Sequence, residues 1–209
     1  MSLHLLATLK INPIVRMLVI SDFFILAGIG FIGPILPVFI VTQLSGGDVR
    51  TAGFASAIYM AMWVLQIPIG RFIDRTKSER DDCMFLVAGA FITAVALFLF
   101  TLAKTPAHIY LIQALAGLGR AIDLPAWYSI FTKKVDKKRE GYEWGIENVS
   151  AALAVGFVSA VSGLIAKAYG FNTIFILAGT VSFIGALVLF FLYRSVFSWS
   201  AENKRISMR

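Results

Sequence analysis

The amino-acid sequence predicts an all-α protein of the membrane, a bundle of six transmembrane helices forming a single domain over residues 1–209. Three observations lead there. Hydrophobic residues make up 58% of the chain, and the mean hydropathy is +0.81. Crossing bilayer hydrocarbon as a helix takes about 20 apolar residues. Six stretches meet that length, at about 13–42, 50–73, 82–103, 107–132, 142–168 and 171–195. Lysine and arginine also fall unevenly: fifteen lie at one set of helix ends and three at the other. By the positive-inside rule both termini are cytoplasmic, in a plasma membrane of bacterial type. The formal charge of +7 therefore reports orientation, and nucleic acid is not expected as a partner.

The first stretch is too long for a cleavable signal, and no small-residue cleavage pattern follows it. It carries Asp22 and then "AGIGFIGPILP", with Gly28, Pro34 and Pro37. Proline removes a backbone donor and bends a helix, so an interruption is expected there. The second stretch leaves the membrane through "GRFIDRTKSER", residues 70–80, where four basic and two acidic side chains crowd one turn. The third opens at Cys83, the single cysteine, which excludes an internal disulfide. With only His4 and His108 besides, neither a metal site nor a hydrolytic triad can be assembled. No cofactor is expected, and no enzyme.

The fourth stretch contains "GLGRAIDLPAW": Gly117, Gly119, Arg120, Asp123 and Pro125. Glycine, charge and proline together predict a second interruption. The fifth begins with Glu143 and Glu147, one helical turn apart, and carries small residues at Ala152, Gly156, Ser159 and Gly163. Such a face lets helix backbones approach closely. The sixth ends in the polar tail "SAENKRISMR", which reads equally as a terminus or as the start of a longer loop. Connections such as "TPA" and "YGF" are short, so sequential helices are expected to pack as antiparallel neighbours. Stretches one and four head two possible three-helix units. Paired interrupted segments of this kind point to a transporter's binding site.

The crowded turn resembles the signature between helices two and three of the major facilitator superfamily, with Gly70, Asp74 and Arg75 in register and Arg71 beside them. It departs from that signature at Lys77 and Ser78, where the family carries Gly-Arg. Gly28, Pro34 and Pro37 are similar to the first-helix pattern of twelve-span efflux members, and Gly117, Gly119, Pro125 and Ala126 to the family's fourth helix. The basic loop "KKVDKKREG" resembles the stretch before helix five. The resemblance implies one six-helix half of a secondary transporter, with a gate at the charged turn and an expectation of efflux. The arginine of proton-coupled members would fall at Gln113, and Arg120, two turns further on, stands as its substitute.

Charges inside the membrane are costly and are functional candidates by default. At 1.5 Å per residue, Asp22 and Asp123 lie about 14 Å and Arg120 about 18 Å from the cytoplasmic ends of their helices. Arg120 and Asp123 read either as a structural pair at i and i+3 or with Arg120 shared between Asp123 and Asp22. Glu147 reads as a helix-terminal acid or as a proton-carrying cavity residue. The function expected is alternating-access transport of a small solute, with possible proton coupling. A six-helix unit has no second wall, so a second one is required as partner. A parallel homodimer supplies it, since a two-fold along the membrane normal inverts neither subunit. The competing readings are a non-transporting assembly or lipid-handling protein, and the N-terminal half of a longer or split transporter.

Overall fold

A computed structural model describes the backbone of residues 11–76 and 79–206, and side chains within 11–75 and 79–194. Lys10, Lys77, Ser78 and Arg209 lie outside the described residues. Among the described residues every regular element is helical. Helix α1 is Pro13–Gln43, started by Asn12, whose side chain accepts the Ile14 N–H at 2.9 Å. The second span is composite: α2, Val49–Ala61; a 3₁₀ turn, Met62–Leu65; and α3, Gln66–Thr76. Then come α4, Glu79–Leu99, prolonged by a 3₁₀ turn at Phe100–Leu102; α5, Pro106–Lys134; α6, Glu140–Tyr169; and α7, Phe171–Ile206. Five of these spans are long and apolar enough to cross a membrane. Helix α5 has the length, but its apolar run is broken by the buried Arg120 and Asp123.

Two expectations are corrected here. Helix α1 runs unbroken through Pro34 and Pro37, and α5 through Pro125. The irregularity sits in the second span, at Met62–Leu65, just before Pro68. Proline there leaves the carbonyl four residues back without its usual donor, and the preceding backbone tightens to 3₁₀. The packing order also differs from the sequence order. Helices α4 and α5 pack along their length, whereas α6 and α7 touch little. The backbones of α5 and α6 stay apart, and large rings bridge them: Phe131 and Trp144 lie 4.5 Å apart, Trp127 and Trp144 5.9 Å. A short loop fixes direction and not adjacency: α7 packs along both α1 and α4, and α6 along α1.

The contacts have an internal two-fold pattern. Exchanging the first three spans with the last three carries α4 on α5 into α7 on α1, and the second span on α5 into α6 on α1. Glycines mark the two equivalent crossings. A Cβ on Gly89 would lie 2.6 Å from the Gly119 carbonyl oxygen, and one on Gly185 would lie 2.7 Å from that of Ser21. Asp22 follows Ser21 as Arg120 follows Gly119, so the repeat places these two side chains at matching positions. The second span and α6 are matching elements as well, and both are largely uncovered: Phe54, Val64 and Ile67 on one, Leu153, Phe157 and Leu164 on the other.

Candidate functional site

Helices α1 and α5 cross near the centre of the bundle and bring their charges together. Arg120 Nη1 donates to Asp123 Oδ2 at 2.9 Å and lies 3.6 Å from Asp22 Oδ1. The structure thus contains both arrangements the sequence left open, the i,i+3 pair and the shared arginine. Glu147 of α6 is 6% exposed and sits beside Asp22 within the field of Arg120. Three carboxylates therefore surround one guanidinium. Asp123 Oδ1 and Glu147 Oε2 are buried with no hydrogen-bond partner. Ionised together, the four groups would leave an excess of negative charge in an apolar interior. Unpaired buried charge costs several kcal/mol, so the excess carboxylates are the costly part of this arrangement.

The packing that holds this cluster is tight. Gly89 and Gly119 let α4 and α5 meet backbone to backbone beside Asp123. Gly28 is pressed against Ser182 of α7, and the Ser182 hydroxyl donates to the Ile25 carbonyl at 3.2 Å. Gly117 lies under the second span, where a Cβ would come within 2.5 Å of the Tyr59 carbonyl oxygen.

Gln113 lines a cavity of about 160 Å³ between α1, α2, α4 and α5, on the side of the cluster away from the termini. Its walls are Ile32, Leu36, Leu97 and Phe100, with Pro37 at the edge; Ser56, Tyr59 and Thr93 supply polar atoms besides Gln113. Sequence reading missed Tyr59, Ser56 and Thr93. No charge flags them, and a single hydroxyl in an apolar run is unremarkable until neighbouring helices converge on it. Pro34 is exposed and touches neither the cluster nor this cavity's wall.

The charged turn lies at the terminal end of the bundle. Arg71, Asp74 and Arg75 are exposed, and among the described residues no ion pair joins Asp74 to Arg71 or Arg75. Gly70 does not permit a close approach: a Cβ there would sit 3.8 Å from Pro125, an ordinary contact. The same end is fastened by Asp82, fully buried, which accepts from Lys133 Nζ at 2.8 Å and Ser129 Oγ at 3.0 Å. Glu143, in the first turn of α6, is 1% exposed and accepts the Asp136 N–H at 3.3 Å.

Comparison with known proteins places the chain in a class. Residues 18–205 match the Major Facilitator Superfamily, and the chain belongs to it. It is an integral membrane protein of a transporter family. It is 25% identical over 179 residues to an uncharacterised MFS-type transporter of Methanocaldococcus jannaschii, covering 86% of this chain and 45% of that one. The chain thus spans about half the length of the curated relative it matches. Its backbone is similar to that of the POT family transporter PepTSo, with a TM-score of 0.75 at 14% identity, over 87% of this chain and 37% of that one.

Proposed function

We propose that the chain moves a small solute by alternating access, coupled to protonation of the carboxylates around Arg120, as one of a parallel pair of six-helix units. The observation that carries this reading is the convergence of Asp22, Asp123 and Glu147 on a single buried arginine. A purely structural pair needs one acid, and an assembly or lipid-handling protein needs no such surplus at the centre of its bundle. Releasing or taking up one proton changes which carboxylate holds Arg120, and α1, α5 and α6 each carry one partner. A change of partner therefore acts on three helices at once.

The uncovered second span and α6 support the pairing. Both present apolar side chains to the outside, and Gly53, Gly156 and Gly163 face open space, so another helix can approach closely there. The pair partner is a second copy of this chain. The direction expected from the first-helix resemblance is efflux. A mostly apolar cavity beside surplus carboxylates favours a solute with an apolar body and a positive group.

The test is reconstitution into liposomes with a trapped pH dye, and a panel of sugars, amino acids, organic anions and amphipathic cations presented as gradients. The unaltered chain moves protons with one class. Asp22→Asn or Asp123→Asn abolishes gradient-driven accumulation yet leaves solute exchange. An unchanged pH dependence in both single variants and in the double variant would reduce these aspartates to structural anchors.

A further inference from the structure

The cavity and the charge cluster meet at one side chain, Tyr59 of α2. Its ring lies on the cavity wall, and its phenol lies within the fields of both Arg120 and Asp123. Resting on the transport reading above, we infer that Tyr59 is the positioning residue through which the charge state at Arg120 sets the opening of the cavity, with α2 swinging on the Met62–Leu65 turn.

Four observations support this. Helix α2 is weakly anchored, since only Thr51 and Ala55 on it are buried, yet it supplies Ala52, Ser56, Tyr59 and Met60 to the wall. The 3₁₀ turn begins three residues after Tyr59, and a 3₁₀ stretch within a span is a place where a helix bends readily. The pivot is pinned, because Gly117 brings α5 against the Tyr59 carbonyl and the Met62 side chain. The matching element in the other repeat, α6, is one α-helix from Glu140 to Tyr169, so the fold does not require a turn here.

The chemistry of the contact is simple. Asp123 Oδ1 is buried and unpartnered, and a phenol both donates and accepts. It can donate to the Asp123 carboxylate while that group is ionised, drawing α2 toward α5, and the bond weakens when the carboxyl takes up a proton. The charged groups facing Tyr59 are Arg120 and Asp123 from α5, and the Trp63 ring lies 5.9 Å from its own; Asp22 from α1 and Glu147 from α6 belong to the same cluster through Arg120. Helix α4 offers the Thr93 hydroxyl, which is buried without a partner. The described titratable side chains of α7, Tyr193 and Arg194, lie at its far end.

The experiment uses the full chain in membrane vesicles, with Cys83→Ser and a single reporter, Ser56→Cys, on the cavity wall. Its modification rate by a small methanethiosulfonate is divided by that of Ser45→Cys in the exposed loop, which cancels titration of the thiol itself. Between about pH 5 and pH 8, where buried carboxylates can exchange protons, the ratio should change about two- to tenfold, the range one hydrogen bond supports. Adding Tyr59→Phe, which keeps the ring, should make the ratio flat, as should Asp123→Asn. Pro68→Ala, which favours a continuous helix through the turn, should also flatten it. If Asp123→Asn abolishes the response and Tyr59→Phe leaves it, the charge cluster stands and the role of Tyr59 falls. If no variant alters it, both fall. A response that survives Pro68→Ala alone overturns the hinge.

Discussion

Asp48 shows how one side chain can set the start of a helix. Its Oδ1 accepts the Thr51 N–H at 2.8 Å and the Thr51 hydroxyl at 2.9 Å, while Oδ2 accepts Arg50 Nε at 2.8 Å. The Thr51 backbone bond, and then Arg50, hold this carboxyl down at about 2. A depressed folded-state value means the cap is fully present above the ordinary aspartate range. It is lost as pH falls from about 4 through about 2. Hydrogen exchange at Thr51 should therefore accelerate only in that window, and in Asp48→Ala it should be fast at every pH. Gly89 makes a sharper prediction, because backbone and not a flexible tip faces it. Gly89→Ala should destabilise by about 1–3 kcal/mol, the usual cost of overpacking. Gly145→Ala, in open space, should stabilise by about 0.5–1 kcal/mol. Thermal unfolding in one detergent compares the two. At this scale the sequence was informative about charge and silent about Tyr59. Depth along each helix was enough to bring Asp22, Arg120 and Asp123 to one level, because rise per residue is fixed. Nothing in an apolar run shows which hydroxyl a neighbouring helix will reach.

Elements were legible in extent and much less so in arrangement. The stretches at 13–42 and 171–195 coincide closely with α1 and the apolar part of α7, since a membrane helix is marked by length and hydropathy alone. The expected interruptions at Pro34, Pro37 and Pro125 were misplaced. A lipid-facing or loosely packed face can accommodate a proline without ending the helix, and Pro34 and Pro37 are exposed. Pro68 had a larger effect because Tyr59 and Met62, at the head of the turn before it, are pressed over Gly117. Pro68→Ala should therefore extend α2 through the turn. Amide exchange at Val64–Gln66 should slow, and unchanged exchange would assign the turn to packing on α5 instead. Short connections proved uninformative about neighbours, since α5 and α6 are consecutive yet joined by rings and not by backbone contact. The small-residue face of α6 also divided: Ser159 bonds the Gly30 carbonyl at 3.1 Å, while Gly156 and Gly163 are open.

For the molecule as a whole, the internal two-fold and the uncovered second span and α6 bear on one claim. In the proposed reading, the charge cluster at the centre of this six-helix unit serves a transport path completed against a second unit. The charged turn gives that claim a contact to test. Asp74 is exposed, and the start of α6 is a helix N-terminus with positive partial charge, where the Tyr142 and Glu143 N–H groups bond the Arg139 carbonyl at 3.0 Å. Glu143 there is buried, whereas Glu140, Gly141 and Tyr142 are exposed, Tyr142 at 43%. An acid at a helix N-terminus contributes about 0.3–2 kcal/mol, enough to favour one conformation without locking it. The most direct measurement is a disulfide trap between Asp74→Cys and Tyr142→Cys in a Cys83→Ser background, in native membranes. The account predicts crosslinked two-chain products, formed less when the cytoplasmic side opens. Uncrosslinked chains under every condition would contradict it.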